Sequence, residues 1–281
     1  MRPPPCVITV GNFDGVHIGH AALIARAREL AHTLNAPGGV VVLAFNPHPR
    51  SVLHPGQAPA SLMSFARRAE LLCRVGAGAV HPLDPTDQLL ALSPADFIEW
   101  VNERYNPIAF VEGPDFHFGC NREGSMETLR ALGRERGFAV EAVPVLATAL
   151  SDHTIVTASS TITRWLIEHG RVRDAWNVLG RPHRLAGTVV RGERRGRDLG
   201  FPTANLDTPD LLPVDGVYAT LAHTPDGRRY TAALSVGTKP QFHHQPGPHA
   251  RTAEAFLLDA PTEPGKANLP GLPEYGWDIA L

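Results

Sequence analysis

The chain has 281 residues, enough for one large domain or two ordinary ones. Hydrophobic residues make up 43% and charged residues 19%, which supplies a core and excludes a disordered or coiled-coil chain. A formal net charge of −2 excludes a nucleic-acid footprint spread over the whole surface, so any anion site must be local.

Val7–Val10 is a short apolar run that stops at Gly11, and an Ala/Leu/Arg-rich stretch from His20 to Leu34 has helical character. Val40–Phe45 is a second continuous apolar run, stopped by Asn46-Pro47. Ser64–Val75 reads as a helix, Ala79–Leu83 as a short buried strand, and Pro94–Arg104 as a helix with Ser93 as its N-cap. Ile108–Glu112 reads as a strand, Ser125–Arg136 as a helix and Val140–Val145 as a strand. Ser159–Leu179 reads as one helix, or as two broken at Gly170. Beyond Gly180-Arg181-Pro182 the pattern becomes alternating, in Arg184–Val190, Gly216–His223, Tyr230–Val236 and Ala253–Asp259, with turns such as Pro225-Asp226-Gly227 between them. Pro261–Pro273 is rich in Pro and Gly and reads as a loop.

Apolar strands alternating with helices predict βαβ units and a mostly parallel sheet, followed here by an all-β segment. The boundary is expected near 180–186, giving domains 1–183 and 184–281. In a parallel sheet ligands sit at the carboxyl ends of the strands, so a site is expected just after Val10, Phe45 and Glu112.

The segment Gly11-Asn12-Phe13-Asp14-Gly15-Val16-His17-Ile18-Gly19-His20 joins the first strand to the first helix. His17 and His20, three apart, are expected on one face of the helix's first turn. A helix N-terminus attracts anions through its free N–H groups and its dipole. Gly19 would let a flat base approach the backbone. Together these residues suit a nucleotide triphosphate, with the histidines donating to oxygens that gain charge in the transition state. Far downstream, Ser159-Ser160-Thr161 opens a helix with capping hydroxyls, and Arg164, one turn in, could grip phosphates bidentately. Alone, each motif is matched by a plain reading, a capped surface helix with a solvated Arg. Asp115-Phe116-His117-Phe118-Gly119 offers aromatic faces and an acceptor suited to a flavin, or else two core phenylalanines in a loop.

In the β segment, Gly192, Gly196 and Gly200 are too closely set for a strand and suit a loop whose N–H groups wrap a phosphate. They do not match the Walker pattern. Pro202 precedes Thr203 and Asn205, which would share one face of an extended strand and offer hard oxygens to Mg2+ carrying ATP.

These motifs resemble a known family. H-x-G-H with a later S-S-T-x-x-R resembles the nucleotidyltransferase superfamily. The string from Gly11 to His20, Phe45-Asn46-Pro47-His48-Pro49, and Gly113–Gly119 resemble the N-terminal module of bacterial bifunctional riboflavin kinase/FMN adenylyltransferases. The G-F-P-T-A-N string, Pro213–Ala219 and Ala253–Asp259 resemble its riboflavin kinase module, so the likeness runs from Val7 to about Ile279. It implies a Rossmann-like, doubly wound N-terminal nucleotidyltransferase domain and a C-terminal six-stranded β-barrel. It implies that Gly11, Phe13, Asp14, His17, Gly19 and His20 line the ATP site and that Ser159, Ser160, Thr161 and Arg164 face its phosphates. Asn46, Pro47, His48, Asp115, Phe116 and Phe118 are expected to shape the flavin side. Gly192, Gly196, Gly200, Thr203 and Asn205 are expected to hold the kinase ATP and its Mg2+, and Glu254 to act as base on the flavin ribityl hydroxyl.

The chain departs from the family pattern in places. Ile162-Thr163-Arg164 stands where Arg-Ile-Arg is usual, and Lys239-Pro240-Gln241-Phe242 where R-P-T-F is common. The family's closing helix is expected to be missing, since the chain stops at Leu281. The implied function is FAD biosynthesis from riboflavin, FMN and ATP. The alternative is an FMN adenylyltransferase alone, with a degenerate kinase-like domain that binds flavin. Expected partners are these small molecules, with no nucleic acid and no membrane. Three cysteines without a C-x-x-C spacing and the absence of an apolar leader suit a reducing cytoplasm.

Overall fold

The structure, a computed structural model, describes residues 2–191, 203–238, 251–260, 276 and 278–281. Their elements run β1 (Cys6–Gly11), α1 (Ile18–Thr33), β2 (Val40–Phe45), α2 (Arg50–Leu53), α3 (Phe65–Arg74), β3 (Ala79–Leu83), α4 (Asp87–Leu90), α5 (Pro94–Tyr105) and β4 (Pro107–Glu112). There follow α6 (Met126–Arg136), β5 (Ala139–Ala142), β6 (Ala147–Ala149), β7 (Ile155–Thr157), α7 (Ser160–Glu168) and α8 (Val172–Leu179). The last strands are β8 (Ala186–Val190), β9 (Thr203–Asp207), β10 (Gly216–His223), β11 (Arg229–Thr238), β12 (Arg251–Leu257) and β13 (Asp278–Ala280). No helix among the described residues is long and apolar enough to cross a membrane.

The chain divides into two compact units. The first comprises Met1–Ala60, Phe65–Ile162 and Asn177–Gly180, and the second Ser61–Ser64, Thr163–Trp176 and Arg181–Leu281.

In the first unit the parallel strands lie in the order β3-β2-β1-β4-β5. The continuous apolar runs become β1, β2 and β4 because a central parallel strand is covered on both faces. Ile8, Val10, Leu43 and Phe110 pack with Phe97, Ile98 and Val101 of α5 and Met126 and Leu129 of α6. Helix α1 lies against β1, β2 and β4 and buries Leu23, Ile24, Ala27 and Ala31. Ser93 caps α5 by accepting the Asp96 N–H at 3.2 Å, and Ser125 caps α6 by accepting the Thr128 N–H at 3.3 Å. The expectation of a buried strand at Ala79–Leu83 is corrected. β3 is the sheet edge and exposes His81 and Pro82, where a residue without an N–H disturbs no inner ladder. Gly170, at φ 72°, separates α7 from α8, so the span Ser159–Leu179 is two helices.

From β1 the chain winds to β2 and β3 on one side, then returns to place β4 and β5 on the other. The winding reverses between β1 and β4, and the crevice at that switch point is where such sheets bind ligands.

In the second unit β10-β11-β12-β9-β8-β13 close into an antiparallel barrel. Alternation puts Ala232, Leu234 and Val236 of β11 and Ala253, Ala255 and Leu257 of β12 inside. Small interior residues suit a barrel of this strand number.

Candidate active site

The turn that leaves β1 holds an unusual backbone. Phe13, Gly15 and Val16 have φ of 51°, 82° and 40°. Gly15 adopts this freely, whereas Phe13 and β-branched Val16 do so at a conformational cost. Both are core residues, so packing fixes the strained turn, and such over-determined strain clusters at functional sites. A Cβ on Gly11 would meet the Phe13 ring at 3.2 Å.

His17 is the N-cap of α1 and lies ahead of the helix rather than on its first turn, which corrects the expectation that it shares a helical face with His20. The two still meet. The His17 Nδ1 accepts the His20 backbone N–H at 3.4 Å, and the rings stack with centroids 3.6 Å apart at 21°. With Nδ1 accepting, a neutral His17 carries its proton on Nε2, which makes that nitrogen a donor. The Phe13 ring tilts against His20 at 5.1 Å. Gly19 makes room for the pair, since its Cβ would stand 3.1 Å from the His17 ring.

The downstream motif reaches the same turn. Ser159 caps α7 by accepting the Ile162 N–H at 3.2 Å, and the Ser160 hydroxyl donates to the Asp14 carbonyl at 2.7 Å. Asp14 itself is buried, and Thr161 is exposed at the helix start. Arg164 lies on α7 and belongs with the second unit.

Sequence reasoning missed two residues here. Arg68 of α3 is buried, and its Nη1 donates to the carbonyls of Asn12 and Phe45, tying the β1 turn to the end of β2. The available signal was its place beside Leu71 and Leu72 on the buried side of an amphipathic helix. Glu112 ends β4 and is fully buried. Its Oε1 accepts the Val10 N–H at 2.7 Å, and its Oε2 accepts the Thr9 hydroxyl at 3.3 Å. Burial pushes this carboxyl well above the ordinary glutamate range, and the two hydrogen bonds oppose that only in part.

After β4, Asp115 is exposed, Phe116 is half-buried and Phe118 is buried in the core beside Phe97. Phe116 stacks on Phe118 at 5.4 Å, so Phe116 is the ring of the two that keeps access. After β2, Asn46 and Pro47 are exposed, and the His48 Nδ1 accepts the Arg50 N–H at 3.1 Å.

In the barrel, β9 lies next to β12, with Asn205 opposite Glu254 and Thr203 opposite Phe256. Directly opposed residues of an antiparallel pair share a face, so Asn205 and Glu254 are neighbours there. Both are half-buried, whereas Ala253 and Ala255 point inward. Gly192, Gly196, Gly200 and Pro202 lie outside the described residues, as do Lys239-Pro240-Gln241-Phe242 and Pro261–Pro273.

A strained, glycine-rich turn at the switch point of a doubly wound sheet in one unit, and a closed six-stranded barrel in the other, define a nucleotide-binding α/β protein with a second, β-barrel unit. Residues 1–159 match the FAD synthetase family model, and residues 179–272 match the riboflavin kinase model. The bifunctional riboflavin kinase/FMN adenylyltransferase of Pseudomonas fluorescens is 37% identical over 256 residues, covering 90% of this chain and 78% of that protein. Its Escherichia coli K12 counterpart is 33% identical over 237 residues, covering 84% and 74%. Among solved structures, one described as a macrolide-efflux protein from Streptococcus pneumoniae superposes with a TM-score of 0.81 at 29% identity, covering all of this chain and 85% of that one. The chain belongs to the bifunctional riboflavin kinase/FMN adenylyltransferase family.

Proposed function

We infer that this chain makes FAD in two ATP-dependent steps, phosphorylating riboflavin to FMN and then transferring AMP from ATP to FMN with release of pyrophosphate. The observation that carries the second step is the meeting of two motifs far apart in sequence. The stacked His17/His20 pair and Ser160 converge on one turn at the head of α1, where a polyphosphate is best received. The match of residues 179–272 to riboflavin kinases favours two activities over the adenylyltransferase-only alternative. Adenylyl transfer is assigned to residues 1–183 and phosphorylation to 184–281.

In the first site Gly11, Phe13, Asp14 and Gly19 shape the nucleotide pocket, and Ser159, Ser160 and Thr161 offer hydroxyls to its phosphates. The FMN phosphate oxygen attacks the α-phosphorus in line, the bond to the β-phosphate oxygen breaks, and pyrophosphate leaves. His17, His20 and Arg164 stabilise the charge that spreads over the phosphoryl oxygens. Asn46, Pro47, His48, Asp115 and Phe116 border the flavin, with Phe118 supporting Phe116 from the core.

In the second site Glu254 takes the proton of the riboflavin 5′-hydroxyl as that oxygen attacks the γ-phosphorus and ADP leaves. Gly192, Gly196 and Gly200 supply N–H groups to the phosphates. The residue types suit Mg2+, because a threonine hydroxyl and an asparagine amide oxygen two apart on one strand, at 203 and 205, are hard ligands. The metal would be carried in part by the nucleotide's own phosphate oxygens. Bound by Thr203 and Asn205, it would screen the phosphate charge.

The direct test is to incubate the purified protein with Mg-ATP and either riboflavin or FMN and to separate the flavins by chromatography. FMN, then FAD, is expected from riboflavin, and FAD from FMN. FAD from FMN with no FMN from riboflavin would restore the single-activity alternative.

A further inference from the structure

Pairing of β1 with β2 continues to Gly11 opposite Ala44, whereas pairing of β1 with β4 ends at Ile8 opposite Phe110. Into the gap that opens at the switch point, β4 sends a side chain in place of main-chain hydrogen bonds. Glu112 is 2% exposed, its Oε1 is 2.7 Å from Val10 N, and its Oε2 is 3.3 Å from the Thr9 hydroxyl. A buried carboxyl is costly even when bonded, and an apolar residue here would simply extend the run Ile108–Val111. Its neighbours supply a reason for a carboxyl. The polyphosphate turn starts one residue after Val10, at Gly11, and the flavin-side loop starts one residue after Glu112, at Gly113.

We propose that Glu112 is a positioning residue for adenylyl transfer: its carboxyl ties the two strand ends together and so sets the distance between the nucleotide α-phosphorus and the incoming FMN phosphate. The proposal rests on the adenylyltransferase reading of that site. Reacting atoms must be held about 3–3.5 Å apart, and a misplacement of about 1 Å can lower a rate about 100-fold. Each loop keeps its own substrate contacts when the tie is cut. The loss should therefore fall on kcat and leave the binding of either substrate nearly unchanged.

Glu112→Val keeps side-chain bulk near the backbone and removes both acceptors. It is expected to lower kcat for FAD formation about tenfold or more, with KM for ATP and for FMN changed less than about threefold. Riboflavin phosphorylation in the same preparation should not change. Glu112→Gln retains an oxygen able to accept the Val10 N–H and is expected to restore kcat to within about threefold of wild type. If Glu112→Val does not fold, Glu112→Asp asks the same question. One methylene shorter, it cannot keep the 2.7 Å contact without drawing the strands together, and kcat should fall about fivefold or more. An unchanged kcat in either folded variant overturns the proposal. So does an equal loss in Glu112→Val and Glu112→Gln, or a loss confined to KM or to the melting temperature. A wild-type protein that forms no FAD from FMN and ATP would instead overturn the adenylyltransferase reading beneath it.

Discussion

A methyl group added at Gly19 would stand 3.1 Å from Cε1 and Nδ1 of His17, close enough to force the ring to move. Because that ring caps α1 and stacks on His20, the displacement reaches both histidines at once. Gly19→Ala is therefore expected to lower kcat/KM for FAD formation about 10- to 100-fold, read by steady-state kinetics, while riboflavin phosphorylation stays at its wild-type rate. An unchanged kcat/KM would mean that the His17 ring position does not matter to the chemistry. His20→Ala removes a donor from the same site and should abolish FAD formation while sparing FMN formation. If both activities fall in a protein that keeps its circular dichroism spectrum, the assignment of separate sites is wrong. At this scale the sequence revealed the histidines and the serines because they stand in a spaced motif. Glu112 escaped notice because a charge at the end of an apolar strand usually marks where the strand meets solvent, and only the folded sheet shows it buried.

Among the elements, helix ends were the most legible feature. Ser93 both accepts the Asp96 N–H at 3.2 Å and donates to the Asp96 carboxylate at 2.6 Å. Ser93→Ala should destabilise the first unit by about 1 kcal/mol in urea unfolding, with FAD formation unchanged at low denaturant. A shift near zero would mean that Asp96 and water satisfy the freed N–H groups. Strands β1, β2 and β4 were legible because both faces are covered, which leaves unbroken apolar runs in the sequence. β10, β11 and β12 were legible because one face is inside a barrel and the other is not. The β6–β7 hairpin was missed. Its strands have three residues each, too few for a period of two to register. β3 was misread as buried, although His81 and Pro82 already marked an edge.

At the scale of the whole molecule, the chain carries two chemistries on two architectures. The change from apolar blocks to alternation near residue 180 announced the second fold. The contact-defined units divide less simply, because Ser61–Ser64 and Thr163–Trp176 group with the barrel. Main-chain bonds within that unit show why: the Leu211 N–H donates to the Ser61 carbonyl at 2.9 Å, and the Val214 N–H to the Ile167 carbonyl at 3.3 Å. Contacts so distant in sequence leave no local pattern to read. The proposed separation of the two sites makes a clear demand of Glu254, which lies opposite Asn205 on the barrel. Glu254→Gln should reduce FMN formation from riboflavin about 100-fold or more, as expected for loss of a general base, and leave FAD formation from supplied FMN intact. Equal kinase rates in variant and wild type would end that role for Glu254.

We place FAD formation at the turn after β1. A crystal structure of the protein with a non-hydrolysable ATP analogue tests it directly. The phosphates should lie at the head of α1, within hydrogen-bonding distance of His17, His20 and the Ser159–Thr161 hydroxyls. An analogue bound only in the barrel, with the β1 turn empty in a protein that still makes FAD, would contradict this placement of the adenylyl-transfer site.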